Sequence, residues 1–172
     1  MSKNTRIVGI TFTALVIVVS VLAWMNRLRV GDVDGLQEDS FFYVVAGESE
    51  HIVGIGDLEA VGLRDVDANY KTNLKPAVQK RYTGASLRSV LDSLGVDYSE
   101  ARRVSFSATD GYVSAAPIAD ALNEESCFIV IAEAGKPLGN RASGGVGPFM
   151  VIFAKERYSQ RWCKLLYEIT VS

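Results

Sequence analysis

From Phe41 onward the chain breaks into short segments in which apolar residues alternate with polar ones or stand in solid blocks, separated by turn-forming residues. FFYVVAG (41–47) predicts a first strand, and DVDANYK (65–71), with Val66, Ala68 and Tyr70 on one side, predicts a half-buried one. RRVSFSA and YVSAA predict two strands around the Asp110-Gly111 turn. CFIVIAEA, PFMVIFA and LLYEITVS predict three more, the first of them buried. Helical spacing is rarer. IGDLEAVG allows one or two turns, and PIADAL opens with Pro117 at a helix start. YTGASLRSVLDSLGVD carries the clearest helix: Leu87, Val90, Leu91 and Leu94 recur on one face, Ser86 serves as N-cap and Gly95 as the stop. Strands outnumber helices without alternating regularly with them, so the pattern predicts an α+β domain with a mixed, irregular sheet.

A different pattern precedes these elements. Ile7 to Trp24 is an uncharged run of 18 residues, flanked by Lys3 and Arg6 before and by Arg27 and Arg29 after. As a helix it would reach about 27 Å, close to the hydrocarbon thickness of a bilayer. A cleaved signal segment is the competing reading, but its apolar stretch is usually shorter. The expectation is therefore one N-terminal transmembrane helix, with the membrane as a partner through residues 7–24. Basic flanks then put the tail inside and residues 31–172 on the extracytoplasmic side, a single-pass arrangement. The predicted organisation is an anchor or signal segment (1–30), an acidic, glycine-containing linker (31–40) and one domain (41–172).

Charge and cysteine content narrow the chemistry. Residues 1–30 hold four basic and no acidic residues, so the remainder carries 14 basic against 20 acidic residues, a formal charge of −6 that argues against nucleic-acid binding. KTNLKPAVQKR (71–81) is the one extended basic run; it reads either as a solvated loop and strand edge or, beginning at Lys71, as a site for a small anion. The two cysteines, Cys127 and Cys163, allow one disulfide or two separately buried thiols. His51 is the sole histidine, no metal-ligand spacing is present, and neither G-x-S-x-G nor H-E-x-x-H occurs.

In chain order, IGDLEAVG, YTGASLRSVLDSLGV, VSFSATDGYVSAAPIADAL, IVIAEAGKPL, GGVGPFMVIF and RWCKLLYEITV resemble the oxidoreductase molybdopterin-binding domain, the fold of sulfite oxidase and related reductases. The resemblance spans about residues 41–172. It implies that the Asp110-Gly111-Tyr112 turn and the glycine loop before Pro148 lie on the ligand side of the domain. Asp110, Tyr112, Arg141, Ser143, Gly144 and Gly145 are then candidates to line one cleft, where glycine-rich amides could hold an anion.

Catalytic members of the family carry a metal-ligating cysteine before the helix that follows YTG, and residues 31–126 here contain none. Ser143 stands where the family often has histidine, and Met150 where it has an arginine able to grip phosphate. From these departures the expectation is a member lacking the cysteine ligand, with no catalytic residue assigned, no metal and no cofactor beyond the molybdopterin that the resemblance implies. Its function would be a non-catalytic ligand-binding or accessory subunit of a membrane complex. The alternative is a molybdopterin-dependent oxidoreductase with a non-cysteine metal environment and Asp110 and Tyr112 as acid–base groups.

Overall fold

The computed structural model describes residues 15–21, 39–71 and 76–172. The chain divides into two units, Met1–Val33 and Asp34–Ser172. In the first, residues 15–21 are helical, and the rest of the expected 7–24 span lies outside the described residues. Among the described residues no helix is long and apolar enough to cross a membrane. This corrects the expected transmembrane helix and single-pass anchor, and with them the extracytoplasmic placement, which rested on the charges flanking that helix.

The second unit is built on two five-stranded sheets. One has the order β2-β1-β10-β5-β6: β2 (Ser49–Gly54), β1 (Phe41–Ala46), β10 (Leu166–Val171), β5 (Arg103–Ala108) and β6 (Val113–Pro117). Its pairs are antiparallel except β1 with β10, which run parallel with Tyr43 opposite Glu168. The other runs β3 (Arg64–Tyr70), β4 (Val78–Ser86), β7 (Cys127–Glu133) and β8 (Lys136–Pro137), with β9 (Met150–Phe153) also paired to β7. Three short helices, α1 (Ile55–Val61), α2 (Leu87–Ser93) and α3 (Ile118–Ala121), complete the α+β fold.

Burial follows the pattern of each segment. In β5, Val104, Phe106 and Ala108 are buried while the residues between them are not, as expected for a strand with one face on the core. All four residues of β9 and the first four of β7 are buried, which explains their unbroken apolar runs. Edge-to-face rings bridge the interior: Phe42 meets Phe149 at 4.9 Å and Phe106 meets Phe153 at 5.9 Å.

Two local findings refine the expected elements. Tyr82–Ser86 belongs to β4, so α2 begins only at Leu87, where the Ser86 hydroxyl accepts the Ser89 N–H at 3.1 Å. Pairing of Ala85 with Ile129 in β7 holds that stretch extended. Strand β2, which the alternation had not marked, folds back on β1 through a turn at Gly47, whose φ of 59° suits glycine.

Candidate functional site

Two clefts flank the place where β5 ends and β10 begins. The Thr109 N–H donates to the Leu165 carbonyl (3.0 Å), and the Leu165 N–H donates to the Val146 carbonyl (2.7 Å). Leu165 has a left-handed φ of 53°, a conformation that costs a non-glycine residue about 1–2 kcal/mol and that three neighbouring segments hold in place here.

The larger cleft, about 410 Å³, is lined on its apolar side by Phe41, Leu165, Leu166 and Tyr167 and on its polar side by Asp39, Asn140 and Arg141; Thr109, Gly147 and Pro148 also border it. Phe41 and Tyr167 stay about half exposed at its edge. Among the described residues the Arg141 guanidinium makes no ion pair or hydrogen bond. The Gly147-Pro148 peptide is cis.

The smaller cleft, about 250 Å³, is lined by Asp110, Tyr112, Ser159, Gln160, Trp162 and Lys164. The β5–β6 hairpin supplies the first two: an Asp110 carboxylate oxygen accepts the Tyr112 N–H at 3.0 Å, and Gly111 takes φ 86°. Tyr112 hydroxyl donates to the Gln160 carbonyl at 2.5 Å, tying the hairpin to the segment before β10. Burial, with a smaller contribution from Cys163, holds the Tyr112 phenol above its usual range. Trp162 is 4% exposed and packs against Tyr70 and Tyr82 at 5.7 and 5.6 Å, and its buried Nε1 has no hydrogen-bond partner among the described residues. Lys164 Nζ donates to the Tyr70 hydroxyl at 3.2 Å and meets no carboxylate among the described residues.

The sequence candidates therefore separate. Asp110 and Tyr112 line the smaller cleft, Arg141 lines the larger, and Ser143, Gly144 and Gly145 line neither. The amides of the glycine loop are engaged within it: Ser143 N–H with the Asn140 side chain (3.0 Å), Gly144 with Arg141 (3.1 Å), Gly145 with Asn140 (2.8 Å), Val146 with Leu138 (3.2 Å) and Gly147 with Gly139 (2.8 Å). Glycine is required at 145 by packing, because a Cβ there would lie 2.4 Å from the Gly139 backbone. These amides leave no open nest for an anion.

Lys71 borders the smaller cleft indirectly. Its carbonyl accepts Ser159 Oγ–H at 2.8 Å, and its ammonium sits 4.6 Å from the centre of the Tyr158 ring. Elsewhere in the basic run, Lys80 pairs with Glu133 (2.6 Å) and Arg81 with Asp67 (2.9 Å), while residues 72–75 lie outside the described residues. Sequence reasoning missed Trp162 and Lys164, since one buried indole and one lysine carry no spacing signature; the aromatic-basic cluster RYSQRWCK was the available signal.

Both cysteines are free and buried, so the bridge between them is not formed. Burial, and then the Asp110 charge, push the Cys163 thiol up to about 12; burial raises Cys127 further still. No group of three or more His, Cys, Asp or Glu side chains able to hold a metal occurs among the described residues.

Residues 57–172, two thirds of the chain, match the oxidoreductase molybdopterin binding domain family. The chain belongs to this family. The fold is also that of the sulfane dehydrogenase SoxCD from Paracoccus pantotrophus, with a TM-score of 0.64 at 13% identity, covering 78% of this chain and 38% of that one. No curated protein matches the chain.

These findings correct the expectation of a member stripped of its cysteine ligand. The family match runs over both cysteines and draws no such distinction. Cys163, moreover, lies between two residues that line the smaller cleft and close enough to Asp110 for that charge to act on its thiol. The accessory-subunit reading leaned on the same supposed gap and on the anchor, and loses both supports.

Proposed function

We propose that the chain is a molybdopterin-binding oxidoreductase domain and that its larger cleft receives the pterin. One observation carries the reading: among the described residues Arg141 stands unpaired at a cleft of about 410 Å³ that Phe41, Leu165, Leu166 and Tyr167 also line. Phe41 and Tyr167 offer ring surfaces to a flat heterocycle, Asn140 and Asp39 offer polar edges to its nitrogen-rich rim, and Arg141 offers a planar fork to its phosphate. The group, when bound, supplies a redox-active metal held through its own sulfur donors.

What this chain contributes is binding and shielding. Paired strands β1 and β10 carry Phe41, Leu166 and Tyr167 in the cleft wall, and the 139–147 loop positions Arg141 through its internal hydrogen bonds. A thiol pushed up to about 12 stays protonated at neutral pH, so Cys163, between two residues of the smaller cleft, is a neutral group.

Isolated molybdopterin titrated onto the protein should quench its own fluorescence on binding. Arg141→Ala should weaken binding about tenfold or more, the effect expected from losing a charge-assisted hydrogen bond. Equal affinity of the variant and the parent would contradict the assignment of the larger cleft.

A further inference from the structure

We propose that the surface where the chain just after β3 meets the segment 157–164 is a docking site for a short, carboxylate-rich segment of another protein. Two basic stretches far apart in the sequence, 71–81 and 155–164, converge there: the Ser159 N–H and Oγ–H both donate to the Lys71 carbonyl, at 3.3 and 2.8 Å, and Lys164 Nζ donates to the Tyr70 hydroxyl at 3.2 Å. Tyrosine rings gather the cations. Lys71 and Arg157 lie over Tyr158, 4.6 and 5.6 Å from its centre, and Lys80 and Lys164 lie over Tyr70, at 5.0 and 5.1 Å.

These charges are only partly answered. Lys80 pairs with Glu133, whereas Lys71, Arg157 and Lys164 form no ion pair among the described residues. On the negative side, Asp110 lines the smaller cleft with Lys164 and has no paired cation, and Glu156 is turned onto Arg161, which Asp120 of α3 shares. With both carboxylates of that triad and Asp110 counted, the described surface keeps one positive charge in surplus, on a domain whose formal charge is −6.

The arrangement narrows the partner. The three unpaired cations are divided between two rings instead of meeting at a point, which matches single carboxylates spaced along a peptide better than one phosphate group. A long polyphosphate would also run off this small surplus onto the acidic remainder of the domain. Cations already laid on rings lose less freedom on docking than free side chains do. Tyr158 is 39% exposed, and Tyr112, tied to the same segment through the Gln160 carbonyl, is 43% exposed; tyrosine beside arginine is the composition of protein–protein contacts.

This inference is independent of the cofactor reading and is tested on the full chain. An oligoglutamate peptide is titrated into isotope-labelled protein and followed by amide NMR, with an oligodeoxynucleotide and phosphatidylserine vesicles in parallel. Oligoglutamate should shift the resonances of Lys71 and of residues 157–164, and added salt should weaken its binding. Arg157→Gln and Lys164→Gln should each weaken it about threefold and together about tenfold, while Arg102→Gln, the same charge change just before β5, should leave it unaltered. Tighter binding of the oligonucleotide or the vesicles, no shift at these residues, or equal losses in Arg102→Gln and Arg157→Gln would overturn the proposal. Arg157 is exposed, so its variant decides the matter even if Lys164→Gln disturbs the packing of Tyr70.

Discussion

Single residues in this domain are fixed by contact more often than by chemistry. Gly84 is the sharpest case: a Cβ there would lie 2.2 Å from the Ile129 carbonyl oxygen and 2.6 Å from the Val130 Cα, both on the neighbouring strand. Backbone cannot retreat without opening the β4–β7 pair. Gly84→Ala should therefore lower the unfolding free energy by about 1–3 kcal/mol, read from the urea midpoint. The cysteines give a second prediction. A thiol whose folded pKa is raised keeps its proton where the unfolded chain has lost it, so the folded state binds more protons above the unfolded value and stability falls as pH rises. With Cys163 pushed up to about 12, that contribution is intact below the ordinary thiol pKa and declines steadily towards 12. Unfolding midpoints recorded across alkaline pH should fall less steeply in Cys163→Ala than in the parent. The same burial predicts that thiol reagents label neither cysteine until denaturant is added.

At the scale of elements, helix α2 shows why a seven-residue helix persists. Its apolar stripe of Leu87, Val90 and Leu91 is buried, and Ser86 satisfies a first-turn amide at 3.1 Å. Ser86→Ala should destabilise the domain by about 1 kcal/mol, measured by equilibrium denaturation, since the cap is lost while the stripe remains. Elements with a strong internal period were legible from sequence: α2, the β5–β6 hairpin around Asp110-Gly111, and the solid apolar strands β7 and β9. Strand β2 was not, because SEHIVG has a single fully buried residue, Val53, and draws its extended form from hydrogen bonds to β1. Tyr82 to Ser86 reads as a run-up to a helix only until β7 is placed beside it. Pairing partners far along the chain leave little trace in local spacing.

For the whole molecule, the candidate site was legible in part. Asp110, Tyr112 and Arg141 do border concave surfaces, but two clefts divide them, and the glycine run that suggested an anion nest folds onto its own carbonyls. Trp162 and Lys164 join the smaller cleft only in three dimensions, where the chain just before β10 meets the β5–β6 hairpin. The expected N-terminal membrane span drew on hydropathy alone, and among the described residues no helix is long and apolar enough to support it. Family membership and the lining of the larger cleft both support the proposed pterin binding. The most direct test is to purify the protein from a host that makes molybdopterin, denature it, and quantify released pterin per chain by fluorescence. The account predicts close to one pterin per chain, reduced in Arg141→Ala; protein that is folded yet releases no pterin would contradict it.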